Sequence, residues 1–162
     1  MTARAARRFV QSIPRSSNFE HVHNLANFTT SNQTLNNLIM QPKFSEGQDE
    51  SKVMAELEAL VEGGWKLDEE QIGIQRTYHF KTYTKVLDLH HNIGVRSKSK
   101  NHHPEMTTNT GSLTVHWTTH YPRGLSAKDT FMAKYCDEQA RIIGTVDQSD
   151  AQKCGPNPSS QI

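Results

Sequence analysis

The sequence predicts an α+β domain: a small, mainly antiparallel sheet with three helices packed on one face. Three observations carry this. Apolar residues recur at helical spacing in three separate segments. The stretches between them alternate with period two. Cap and turn residues stand at the boundaries.

Each element follows in order. Val53, Met54, Leu57, Leu60 and Val61 form one face of a first helix, and Gly63-Gly64 ends it by tolerating positive φ. Ile72, Ile74, Tyr78 and Phe80 alternate with Gln71, Gly73, Gln75, Thr77 and His79, which makes a half-buried strand. Arg76 is the one polar break on its apolar face. Tyr83, Val86, Leu87, His90 and Ile93 predict a second helix over 82–99, ending before Asn101-His102-His103-Pro104 because a residue preceding proline avoids the α region. A short strand near 106–110 precedes a longer one. In the longer strand Leu113, Val115, Trp117 and Thr119 alternate with Thr114, His116, Thr118 and His120. Ser126 and Asp129 form a capping box with the shorter acid, opening a helix that carries Phe131, Met132, Tyr135, Cys136, Gln139, Ile142 and Ile143.

The 162 residues suit one domain and a tail. No run approaches the roughly 18 apolar residues of a membrane span. A net charge of +1 gives no bulk electrostatic case for nucleic acid or anionic lipid. Cys136 and Cys154 are too few for a disulfide scaffold or a four-cysteine zinc site. Residues 1–44 carry Arg4, Arg7, Arg8, Arg15 and Lys43 against Glu20 alone, with no apolar period, and read as a disordered extension. Its first part is Arg-rich, Ser-rich and acid-poor, the composition of an organelle transit peptide, so the chain is expected in the cytoplasm or the mitochondrion. The turn-rich end, 146–162, reads as a flexible tail, which leaves a folded domain at 45–145.

Nine histidines are the unusual count. His21 and His23 lie in the extension, His79 on an outer strand face, and His90 on a helix stripe where packing is the ordinary role. His102-His103-Pro104 occupies a short turn between helix and strand, and His120 ends a strand before Tyr121-Pro122-Arg123-Gly124. Three imidazoles at two element ends can meet across one cleft. They could hold zinc, although adjacent histidines rarely point one way, and His116 and His120 lie far apart along a strand. They could instead divide acid and base between them near neutral pH, as elimination of water requires. Three surface histidines with no joint role fit the spacing equally well.

His102-His103-Pro104-Glu105, then Thr119-His120 seventeen residues on, then Gly124-Leu125-Ser126-Ala127-Lys128-Asp129 resembles the pterin-4a-carbinolamine dehydratase family. Gly64-Trp65 and Tyr78-His79-Phe80-Lys81 support the resemblance, which runs from about Val53 to Ile143. It implies a four-stranded sheet in the order helix-strand-strand-helix-strand-strand-helix, assembled as a homodimer or homotetramer. The implied reaction is dehydration of a 4a-hydroxytetrahydropterin to the quinonoid dihydropterin, in tetrahydrobiopterin recycling. It involves a small-molecule pterin substrate, no metal and no organic cofactor, and no membrane or directly bound nucleic acid. By the same resemblance His102, His103 and His120 match the catalytic histidines, Pro104 shapes the loop, and Glu105 and Asp129 are supporting positions. Asp129 either orients a histidine or caps its helix.

Four positions depart from the family pattern. Lys98 stands where many members have an acid, Met106 where many have Trp, and Thr108 and Thr110 at Asn and Tyr positions. These departures motivate a second reading, a catalytically weak dehydratase-like scaffold that serves oligomerisation or protein docking.

Overall fold

The computed structural model describes residues 41–151. Most of the expected extension and its transit-peptide reading lie outside the described residues, as do His21, His23, Cys154 and the tail from residue 152.

Helix α1 (Glu50–Glu62) starts at Asp49, whose side chain accepts from Lys52 N, and stops at Gly63 before Gly64 at φ +103°. Strand β1 (Lys66–Leu67) pairs with β2 (Gly73–His79). Helix α2 (Tyr83–Lys100) follows, capped by Thr82. Strands β3 (Glu105–Asn109) and β4 (Ser112–His120) form a hairpin, and the two-residue β5 (Arg123–Gly124) folds back on the end of β4. Helix α3 (Ala127–Ile143) and a single turn, α4 (Gln148–Ala151), complete the described chain. The sheet order is β1-β2-β4-β3, all antiparallel, with β5 added beside β4. This is the expected α+β order, with β5 and α4 added.

The alternation in β4 separates two environments. Leu113, Val115 and Trp117 are wholly buried in the core formed with all three long helices. Thr114, His116, Thr118 and His120 line the opposite, helix-free face. β2 meets β4 with Ile74 opposite Trp117 and Tyr78 opposite Leu113, so both strands send their apolar residues the same way. Arg76, the polar break, reaches Asp137 of α3 at 2.7 Å. The same carboxylate accepts from Tyr78 OH at 2.5 Å and Trp65 Nε1 at 3.0 Å, so the polar ends of two core aromatics are satisfied.

Two helix stripes differ in phase from their sequence reading. In α2 the core ridge is Val86, Leu89, Ile93 and Ser97, whereas Tyr83 and Leu87 are exposed. In α3 it is Met132, Ala133, Cys136 and Ala140, with Phe131 and Ile142 exposed. A stripe broader than the contact leaves its phase open, and the sheet selects the residues that fit closest. Residues on either side of 45–145 also bond to the sheet and its loops. Ser45 N and Leu125 N bond across to Leu125 O and Lys43 O at 2.8 Å each, and Lys43 N bonds to Gln71 O at 2.7 Å. At the other end Val146 N donates to His79 O, and Ala151 is buried.

Candidate active site

Asn101, in the left-handed region at φ 48°, terminates α2 and turns the chain back. His102 N then donates to Ser97 O, and the imidazole enters the protein, 8% exposed. Its ring stacks on Trp117 at 5.2 Å between centroids. His102 Nε2 lies 2.6 Å from Asp129 Oδ1. Asp129 is fully buried. An ionised carboxylate only accepts, so the proton of this bond belongs to Nε2.

The other oxygen of Asp129 serves the helix. Oδ2 accepts from Ser126 N at 2.8 Å, which closes the capping box. Thr119 Oγ1 and Ser126 Oγ also lie 2.9 Å from Oδ2 and 2.6 Å from each other. Asp129 therefore does both things the sequence left as alternatives: it caps α3 and orients His102. It also ties the His102 loop to the end of β4 through Thr119.

The neighbouring residues in each segment, His103 and His120, are both exposed. His120 lines an open cavity of about 530 Å³ on the helix-free face, together with His116, Thr118, Glu105, Asp68 and Arg123. His102 does not line it, because it lies on the core side against Trp117. Pro104 is half-buried, and Glu105 is the first residue of β3, largely exposed. Among the described residues no three His, Cys, Asp or Glu side chains are grouped to hold a metal ion. The structure thus joins His102 to Asp129 and sets His120 in a cavity with Glu105, rather than gathering three free imidazoles.

Sequence reasoning missed the partner of His116. Its Nε2 lies 2.9 Å from Asp68 Oδ2, and its Nδ1 lies 4.0 Å from Glu105 Oε2. The shared face of His116 and His120 was legible in the strand alternation, but nothing local marked Asp68. Gly73 lies beneath the pair: a Cβ there would stand 2.5 Å from His116 Nε2 and 2.6 Å from Asp68 Oδ2. Arg123 pairs with Glu70 at the cavity rim.

Three of the four departures from the family pattern have structural places. Met106 packs against the core, and Thr108 Oγ1 lies 2.9 Å from His90 Nδ1 of α2. His90 is thereby a packing residue. Lys98 and Lys100 are exposed in the last turn of α2, where cations complement the helix dipole.

The fold and site together make a small α+β protein: a helix-backed antiparallel sheet with a carboxylate-held histidine on its core side and an open histidine-lined cavity on its other face. Residues 46–139 match the model of the family described as Pterin 4 alpha carbinolamine dehydratase, and the chain belongs to that family. Two curated relatives bear names beginning "Putative pterin-4-alpha-carbinolamine dehydratase". The one from Hahella chejuensis is 35% identical over 96 residues, covering 57% of this chain and 83% of the relative. The one from Cupriavidus pinatubonensis is 32% identical over 88 residues, covering 53% and 76%. The structure is similar to a transcriptional coactivator/pterin dehydratase from Brucella melitensis, with a TM-score of 0.52 and 25% identity over 56% of this chain and 95% of that one. The family is one of hydro-lyases acting on pterins. No described helix is long and apolar enough to cross a membrane.

Proposed function

We propose that this chain dehydrates a 4a-hydroxytetrahydropterin to quinonoid dihydropterin by histidine acid–base catalysis, and so serves tetrahydrobiopterin recycling. The observation that carries the reading is the Asp129 clamp. One buried carboxylate holds His102 and Thr119, and the residue after each is an exposed histidine. In the reaction one imidazole takes the proton from the ring nitrogen N5. Another, as imidazolium, gives a proton to the 4a-hydroxyl; the C4a–O bond breaks, the C4a–N5 double bond forms, and water leaves. His103 and His120, both exposed, are assigned these two roles together, with neither singled out as the acid or the base. His102, with Nε2 committed to Asp129, positions the loop and keeps only Nδ1 for polar contact. Such proton transfer contributes roughly 10²–10⁴-fold and calls for no metal or organic cofactor.

Stopped-flow measurement of carbinolamine dehydration tests the reading. His103→Ala and His120→Ala should each reduce the acceleration about 10²-fold. Wild-type rates in both variants would remove the assignment, and activity lost to a chelator and restored by zinc would point to metal instead.

A second reading is favoured by the exposed Tyr83, Leu87 and Val95 of α2 and Phe131 and Ile142 of α3. They form apolar surface suited to a docking or oligomerisation scaffold. A native protein that gives no acceleration in the same assay would leave that role.

A further inference from the structure

His116 is a histidine that the proposed proton transfers leave unused, yet it stands in the same cavity as His120. Its placement is built rather than incidental. The imidazole is about one-fifth exposed, Asp68 holds Nε2, and the pair occupies space that exists only because position 73 is glycine. As an ionised carboxylate, Asp68 obliges a neutral His116 to carry its proton on Nε2. Nδ1 is then a lone-pair acceptor. The neighbouring acceptor is Glu105 Oε2, 4.0 Å away. Two acceptors side by side on a cavity wall match a ligand edge that offers two N–H donors.

We propose that His116, with its tautomer set by Asp68, determines specificity by receiving the amino-pyrimidine edge of the pterin, with Glu105 as the second acceptor. This rests on the dehydratase reading. The 2-amino group and the adjacent ring N–H of a pterin are two donors on one edge. His116 and His120 are four residues apart on one strand face, about 13–14 Å along the axis at 3.4 Å per residue. That span accommodates a two-ring heterocycle with a hydrogen bond at each end. The pyrimidine ring then faces His116, and the ring junction that loses water lies toward His120. Thr118, between them, spends its hydroxyl on Ile72 O at 2.8 Å.

The test compares a dihydropterin with its 2-oxo counterpart, in which the amino donor becomes an acceptor. Binding to the full chain is measured by titration, and dehydration by stopped flow. The wild type should prefer the 2-amino compound tenfold or more, since a site built to hydrogen-bond a donor rejects an analogue lacking it. Asp68→Asn keeps the shape but lets the amide donate to Nε2, which moves the imidazole proton to Nδ1. In Asp68→Asn the preference should fall to about threefold or less, with KM raised and kcat changed much less. His116→Ala should behave alike and carries the test where Asp68→Asn does not fold, as thermal unfolding will report. Variants that keep the wild-type preference, or that lose kcat with KM unchanged, overturn the inference while leaving the dehydratase reading standing. A wild type that neither binds the dihydropterin nor accelerates dehydration overturns both.

Discussion

His102 and Asp129 form a buried pair: Nε2 of the imidazole donates to Oδ1 of the carboxylate at 2.6 Å, while Oδ2 of the same residue caps α3. One side chain thus fixes a helix start, a loop and a ring tautomer. The two oxygens separate these duties, so substitutions can separate them too.

Removing the cap alone and removing the whole carboxylate should differ. Ser126→Ala removes the capping hydroxyl and should cost about 1 kcal/mol. Asp129→Ala also leaves the His102 Nε2–H buried without its acceptor and should cost about 1–3 kcal/mol more, the penalty of an unsatisfied buried donor. Denaturant unfolding measures both. Equal losses would mean that the His102 bond contributes nothing.

Cys136 supplies a pH prediction. Burial pushes its thiol up to about 12, from an ordinary value of 9.0. The folded state therefore holds the proton more tightly than the unfolded chain. The contribution to stability is complete below pH 9 and is lost as pH rises from 9 towards 12. Cys136→Ser, which does not ionise there, should narrow its stability gap to the wild type over that range. At pH 8 the native thiol should resist alkylation, read on the Cys136 peptide by mass spectrometry, and react once denaturant is added.

The start of the domain can be located by truncation. A chain beginning at Gln41 keeps the backbone bonds from Lys43 to Gln71 and Leu125 and the one from Ser45 to Leu125; a chain beginning at Glu46 loses all of them. The shorter chain should melt several degrees lower, since about 1 kcal/mol shifts the midpoint of a domain this size by 4–8 °C. Equal midpoints would return the boundary to residue 45.

Assembly follows from the apolar residues that the core leaves out. Leu87 and Val95 of α2 are 43% and 57% exposed, two turns apart on one helix. We expect a homodimer or homotetramer, and Leu87→Glu with Val95→Glu should reduce the mass found by light scattering. A native protein that is monomeric at micromolar concentration would exclude this.

The sequence by itself determined the three long helices, the longer strands and their order, because helix and strand periods and caps are local. Val53, Leu57 and Leu60 mark α1, the alternation through Trp117 marks β4, and Ser126 with Asp129 marks the start of α3 within four residues. His102, His103 and His120 were legible as candidates for the same reason. Only the tertiary structure decided which of them is buried and which open. Asp129 lies 27 residues from His102, and Asp68 lies 48 from His116, separations at which no local pattern pairs two side chains. Packing likewise chose Leu89 over Leu87 as the core residue of α2, because the ridge that touches the sheet depends on helix rotation. Contacts between distant segments form only when the sheet has brought them together, and the two histidine–carboxylate pairs are contacts of that kind.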